Sequence, residues 1–251
     1  MIVGTAAAGI LVSTLGAGWA LIGDAATYVA GVTFLIALTV PAPAAATARR
    51  SLLADIGDGW REVRSRLWLW PVLVQFSFVN ALSIGAFLIL GPYVSTATLG
   101  GARSWGLIMS SWAVGLLAGG VVASRLRPRY PLRTGTAWVF LMALPPLALA
   151  LGLSLPFVMV AAALGAAALE VHIVFWFTTL QQRIAGDRLA RVMSYDLVGS
   201  LVLVPVGTVV VGFLAGAVGR SATLYAGALV ALVATAAVLL IGQVRALTPN
   251  A

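Results

Sequence analysis

The chain has no cysteine and no lysine, a single histidine, and only seven acidic residues among 251. Without cysteine there is no disulfide, no thiolate metal centre and no cysteine nucleophile. One histidine does not supply a histidine-based metal site, so no metal and no cofactor are expected. Charged residues make up 9% of the chain, where a soluble domain carries about 25%. That is too little polar surface to solvate a globule of this length. Catalytic motifs are equally scarce. A loose Gly-x-Ser match, at Gly152 to Ser154, ends an apolar stretch with nothing nearby to stabilise an oxyanion. An intramembrane hydrolase is therefore not expected, and no catalytic residue is assigned.

What the chain does have is apolar surface. Hydrophobic residues reach 61%, and mean hydropathy is +1.06. All fifteen basic residues are arginine, giving a net charge of +8. A nucleic-acid interface would gather those arginines on a folded polar face. Here they sit in short loops between long apolar runs, so no nucleic-acid partner is expected.

A bilayer core about 30 Å thick needs about 20 apolar helical residues to cross it. Seven stretches qualify: residues 19–40, 67–90, 105–126, 134–155, 156–180, 192–218 and 221–244. An eighth, 1–15, is too short to span and reads as the second half of a helix. It has no arginine-bearing region before it, so it does not read as a cleaved signal peptide. The loops on one side hold thirteen arginines: five between Arg49 and Arg66, four from Arg125 to Arg133, three from Arg183 to Arg191, and Arg245. The other side has only Arg103 and Arg220. The positive-inside rule places the thirteen, and the C-terminus, in the cytoplasm. The expectation is a multi-pass protein of the plasma membrane.

Between the first two complete spans lies a linker, 41–66. It opens with "PAPAAATA" and continues "RRSLLADIGDGWREVRSRLW". Leu52, Leu53, Ile56, Trp60, Val63 and Leu67 recur every three or four residues, which predicts an amphipathic helix on the membrane surface. Gly57 and Gly59 weaken it, and a partner-binding helix is the sharper alternative.

"GTAAAGILVSTLG" from Gly4 and "GTVVVGFLAGAVG" from Gly207 match at an offset of 203. Glycines in lipid let helix backbones approach closely, so Gly4 and Gly9, like Gly207, Gly212 and Gly216, are expected to face neighbours. If the match is an internal repeat, the first two segments correspond to the last two. The first copy would then start upstream of Met1, and four of twelve helices would be missing. Internal repeats are a common basis of secondary transporters.

Three stretches carry a family resemblance. "GGVVASRLRPRYPLR" (119–133) resembles the cytoplasmic Gly-x-x-x-Asp-Arg-x-x-x-Arg signature of the major facilitator superfamily. "LQQRIAGDRLARVMSYD" (180–196) resembles the loop before that family's eleventh helix. "VGTAAAGIL" (3–11) stands where many of its exporters have Gly-Pro in the fifth. Ser124 replaces the signature Asp, and Thr5 replaces the Pro. The chain is thus similar to bacterial drug and siderophore exporters such as the enterobactin exporter, from the middle of their fifth helix onward. The resemblance implies an all-α integral membrane bundle of the superfamily type that lacks its first four helices. Residues 1–40 would be a remnant of the first half, 41–66 the linker, and 67–245 a six-helix transporter domain. It also implies that spans 67–90 and 156–180 line a central cavity.

Polar groups at membrane depth are functional candidates by default. Gln75 and Asn80 lie in one of those two spans; Glu170 and His172, with Trp176 one turn on, lie in the other. These five are the candidate substrate and proton site. All five are expected to face one water-filled space, with Glu170 carrying the coupling proton. Arg125, Arg129 and Arg191 could pair with Asp196 to close a cytoplasmic gate. The expected function is proton-coupled efflux of a small organic compound, its partners being the bilayer, the substrate and the proton. The alternative is a non-transporting membrane fragment, subunit or pseudogene product.

Overall fold

The computed structural model describes residues 17–38, 57 and 60–248. The chain divides into two compact units, Met1–Arg50 and Ser51–Ala251. In the first, α1 (Ala17–Ala37) occupies most of the predicted span 19–40. Ile22, Phe34 and Ile36 are all exposed on it. A helix apolar on every side has hydrocarbon for its solvent. The opening half-helix, the first copy of the glycine repeat and most of the linker lie outside the described residues.

The second unit holds six helices long and apolar enough to cross a membrane. They are α2 (Trp70–Thr98), α3 (Ala102–Arg125), α4 (Pro131–Ala150), α5 (Leu155–Arg183), α6 (Gly186–Ala217) and α7 (Arg220–Leu239). A short α8 (Gly242–Ala246) follows. No strand occurs among the described residues. The protein is an all-α, multi-pass membrane protein.

Two spans are not uniform α-helix. α2 passes through a π-helical stretch at Val79–Ile84, and α4 through a 3₁₀ stretch at Val139–Ala143. Proline explains the second. Pro145 and Pro146 have no N–H to give to the carbonyls one turn back, those of Leu141 and Met142. In lipid a freed carbonyl needs another donor. The Ser83 hydroxyl supplies one, donating to the Met142 carbonyl across the α2–α4 contact at 3.3 Å.

Packing follows a simple rule. α3 lies along α5, where a Cβ on Gly115 or Gly119 would strike the Ala163 or Ala167 carbonyl. α6 lies along α2 in the same way, Gly207 against the Ala81 carbonyl and Gly199 against Ser77. α4 meets α5 at Gly135, beside Phe175, and α7 meets α2 at Gly227, beside the Leu82 carbonyl. α4 and α7 pack on each other. Exchanging α2, α3 and α4 for α5, α6 and α7 leaves all these pairings unchanged. Lesser contacts of α2 with α4 and of α6 with α7 are less evenly matched. The expectation for the repeat is corrected in one respect. Gly207 is buried in a helix crossing, but a Cβ added at Gly212 or Gly216 would meet nothing within 4 Å.

Gly101 and Gly219, at φ 94° and 92°, start α3 and α7. Side-chain-bearing residues rarely adopt that backbone, and it lets consecutive spans reverse within a few residues.

The described part of the linker, residues 57 and 60–66, lies against the arginine-rich end of the bundle. Trp60 and Leu67 are exposed, while Val63 is buried with Leu69, Val72, Val192 and Val244 at the arginine-rich end of the bundle. The segment is folded onto that end by contacts with α5 and α6.

Candidate functional site

Polar side chains in a lipid-embedded bundle are placed by the face of the helix they occupy, at about 100° per residue. Gln75 faces α7. It is 3% exposed, and its Nε2 donates to Thr235 Oγ1 at 3.0 Å while its Oε1 has no hydrogen-bond partner. Phe76, one residue on, faces α5 and stacks on His172 with ring centroids 4.6 Å apart. Ser77, one further, faces Gly199 of α6. Asn80 is half-buried in the π-helical stretch.

On α5 the same rotation separates Glu170 from His172. Glu170 is half-buried over the glycine face of α3, its Cβ 2.9 Å from where a Cβ on Gly119 would lie. Among the described residues no basic side chain forms an ion pair with it. His172 is 1% exposed, between Phe76 and the Gly135 backbone. Neither ring nitrogen has a hydrogen-bond partner of good geometry among the described residues. The Thr136 hydroxyl, beside Gly135, is also buried without a partner.

Trp176, one turn beyond His172, continues the aromatic column. Its ring is nearly parallel to the imidazole at 6.5 Å and meets Trp68 edge-on at 6.4 Å. Its indole Nε1 donates to Asp196 Oδ1 of α6 at 3.2 Å. The column Phe76–His172–Trp176–Trp68 thus joins α2 to α5, and Asp196 ties it to α6.

The five residues expected to share one space are therefore divided. His172 and Trp176 belong to the aromatic column, Gln75 to the α2–α7 contact, Glu170 to the α3–α5 seam, and Asn80 lies half-buried in the π-helical stretch of α2. The expected gate is rearranged as well. Neither Arg125 nor Arg129 forms an ion pair with Asp196. Arg125 ends α3, and Arg129 holds its guanidinium 5.5 Å over the Tyr130 ring. Arg191 is half-buried on α6, about one turn before Asp196. The carboxylate takes the indole instead because α5 and α6 converge at this end.

Ion pairing at that end centres on a residue the sequence reading passed over. Glu62 Oε1 accepts from Arg66 Nη2 at 2.5 Å, and Oε2 from Arg188 Nη1 of α6 at 3.2 Å. Arg66 also donates to the Arg183 carbonyl at 3.2 Å, and Arg183 to the Thr248 carbonyl. Trp60 packs on Tyr195 at 6.0 Å. Together these contacts clamp the linker to α5, α6 and the tail. Burial alone would raise the Glu62 pKa, but its hydrogen bonds and charge attraction to Arg66 and Arg188 outweigh that and hold it below the ordinary 4.5. The i, i+4 spacing of Glu62 and Arg66 was visible in sequence; the reach to Arg188 was not.

No group of acidic, histidine or cysteine residues among those described could hold a metal ion. Comparison with protein-family models, with curated proteins and with solved structures finds no match to this chain.

Proposed function

We propose that the chain is the greater part of a major-facilitator-type exporter, which moves a small organic compound across the plasma membrane against a proton flow. The observation carrying this reading is the exchange rule in the packing. Each outer span crosses a central one through glycine, in corresponding pairs, as internal repeats in secondary transporters would. In this reading the arginine-rich end faces the cytoplasm, and the two central spans, α2 and α5, carry the polar groups. Residues 1–40 correspond to the end of that family's first half. Glu170 is the proton-coupling group, while His172, Trp176 and Gln75, buried in helix contacts, hold the two central spans in place. The Trp176–Asp196 bond joins the cytoplasmic ends of α5 and α6.

A second reading, a fragment that does not transport, is supported by the exposure of α6. Only 13% of its most apolar stretch is buried, against 56% in α4, as for a helix that has lost its neighbour. Liposomes with an imposed proton gradient separate the two, using the chain as it stands and a form extended upstream by four helices. Gradient-driven movement of a lipophilic cationic dye by either form supports the exporter. Movement by the extended form alone makes the present chain a fragment, and movement by neither overturns the proposal.

A further inference from the structure

An open apolar groove of about 520 Å³ runs between α2 and α7. Trp70, Val74 and Phe78 line one wall, and Leu229, Val233 and Ile241 the other. Each set follows one helical stripe. From Leu229 to the end of α7 at Leu239 is ten residue steps, or about 15 Å at 1.5 Å per residue. Half of a hydrocarbon core about 30 Å thick is about 15 Å. The groove is therefore one leaflet deep. It starts at the arginine-rich end, where Trp70 opens α2 and Ile241 follows α7, and it stops near mid-membrane.

The charge at its mouth is positive. Arg245 follows Ile241 by one turn, its backbone N–H bonded to the Ile241 carbonyl at 3.2 Å. Arg64 follows Val63, which is buried in the same cluster as Val238 and Val244. Both arginines are exposed. Glu62, the carboxylate described nearby, is already engaged by Arg66 and Arg188. The groove is lined by apolar side chains except for Gln75, which is buried and turns its amide N–H to Thr235.

We infer that this groove is a binding site for an anionic phospholipid. One acyl chain lies between α2 and α7, and the phosphate-bearing headgroup is held by Arg64 and Arg245. Charge attraction of this kind favours anionic over zwitterionic headgroups at the membrane surface. The inference does not depend on the transport reading.

Native mass spectrometry of the full chain in detergent tests it, with phosphatidylglycerol and phosphatidylcholine of identical acyl chains as probes. The parent is expected to retain phosphatidylglycerol about tenfold better. Arg64→Gln with Arg245→Gln should bring that ratio near one and leave phosphatidylcholine retention unchanged. Val233→Trp, which fills the groove, should lower retention of both lipids. Arg103→Gln, at the opposite end, should change neither. An undiminished preference in the double arginine variant, or full retention by Val233→Trp, overturns the site.

Discussion

Trp176 of α5 donates its indole N–H to the Asp196 carboxylate of α6 at 3.2 Å, and Trp176 is only 4% exposed. Consecutive spans that otherwise touch little are joined here by one charged hydrogen bond. Bonds to charged groups contribute about 1.5–3 kcal/mol. A double-mutant cycle with Trp176→Phe and Asp196→Ala, followed by denaturation in detergent, should return a coupling of about 1–3 kcal/mol. A coupling near zero would make the two residues mere neighbours.

The Glu62 clamp should respond to pH in one direction. Its folded pKa lies below 4.5, so its stabilisation is complete above that value and fades as pH falls through the folded pKa. Arg188 is half-exposed, so the contribution is small, about 1 kcal/mol or less. The melting temperature of the parent should exceed that of Glu62→Gln at neutral pH, and the gap should close in acid. High salt should narrow it at any pH. A gap that widens in acid would contradict the assignment.

Glycine crossings should tolerate no side chain. Gly119→Leu and Gly207→Leu place atoms into the Ala167 and Ala81 backbones, and overpacking of this kind costs about 1–3 kcal/mol. Gly212→Leu meets nothing within 4 Å and should stay within about 0.5 kcal/mol of the parent. Melting temperatures of the three variants check the contrast. Equal losses in all three would refute the packing.

Glu170→Gln, in a chain extended upstream, should abolish proton-driven efflux while leaving substrate binding largely intact. Efflux by Glu170→Gln at the parent's rate under a proton gradient would make Glu170 a structural acid.

Sequence alone determined how this chain meets its solvent. Hydrocarbon of fixed thickness requires apolar runs of fixed length, and six of the predicted stretches return as α2 to α7 with ends shifted by up to eight residues. The ends moved where local chemistry overrode hydropathy. α2 runs on through Pro92 to Thr98, whose hydroxyl bonds to the Val94 carbonyl, whereas α7 stops at Leu239. The polar residues worth noticing, Gln75, Glu170, His172 and Asp196, were also legible, because few polar groups occur at that depth.

Their partners were decided by tertiary structure. A difference of one or two positions turns a side chain to another helix, so Gln75 reaches Thr235, Phe76 reaches His172, and Glu170 lies over Gly119. The π-helical stretch of α2 and the 3₁₀ stretch of α4 break the regular 3.6-residue phase, and no periodicity in the sequence announces either one. Glu62 and Arg188 are 126 residues apart. Only the convergence of α5 and α6 on the folded linker brings such charges within reach of each other.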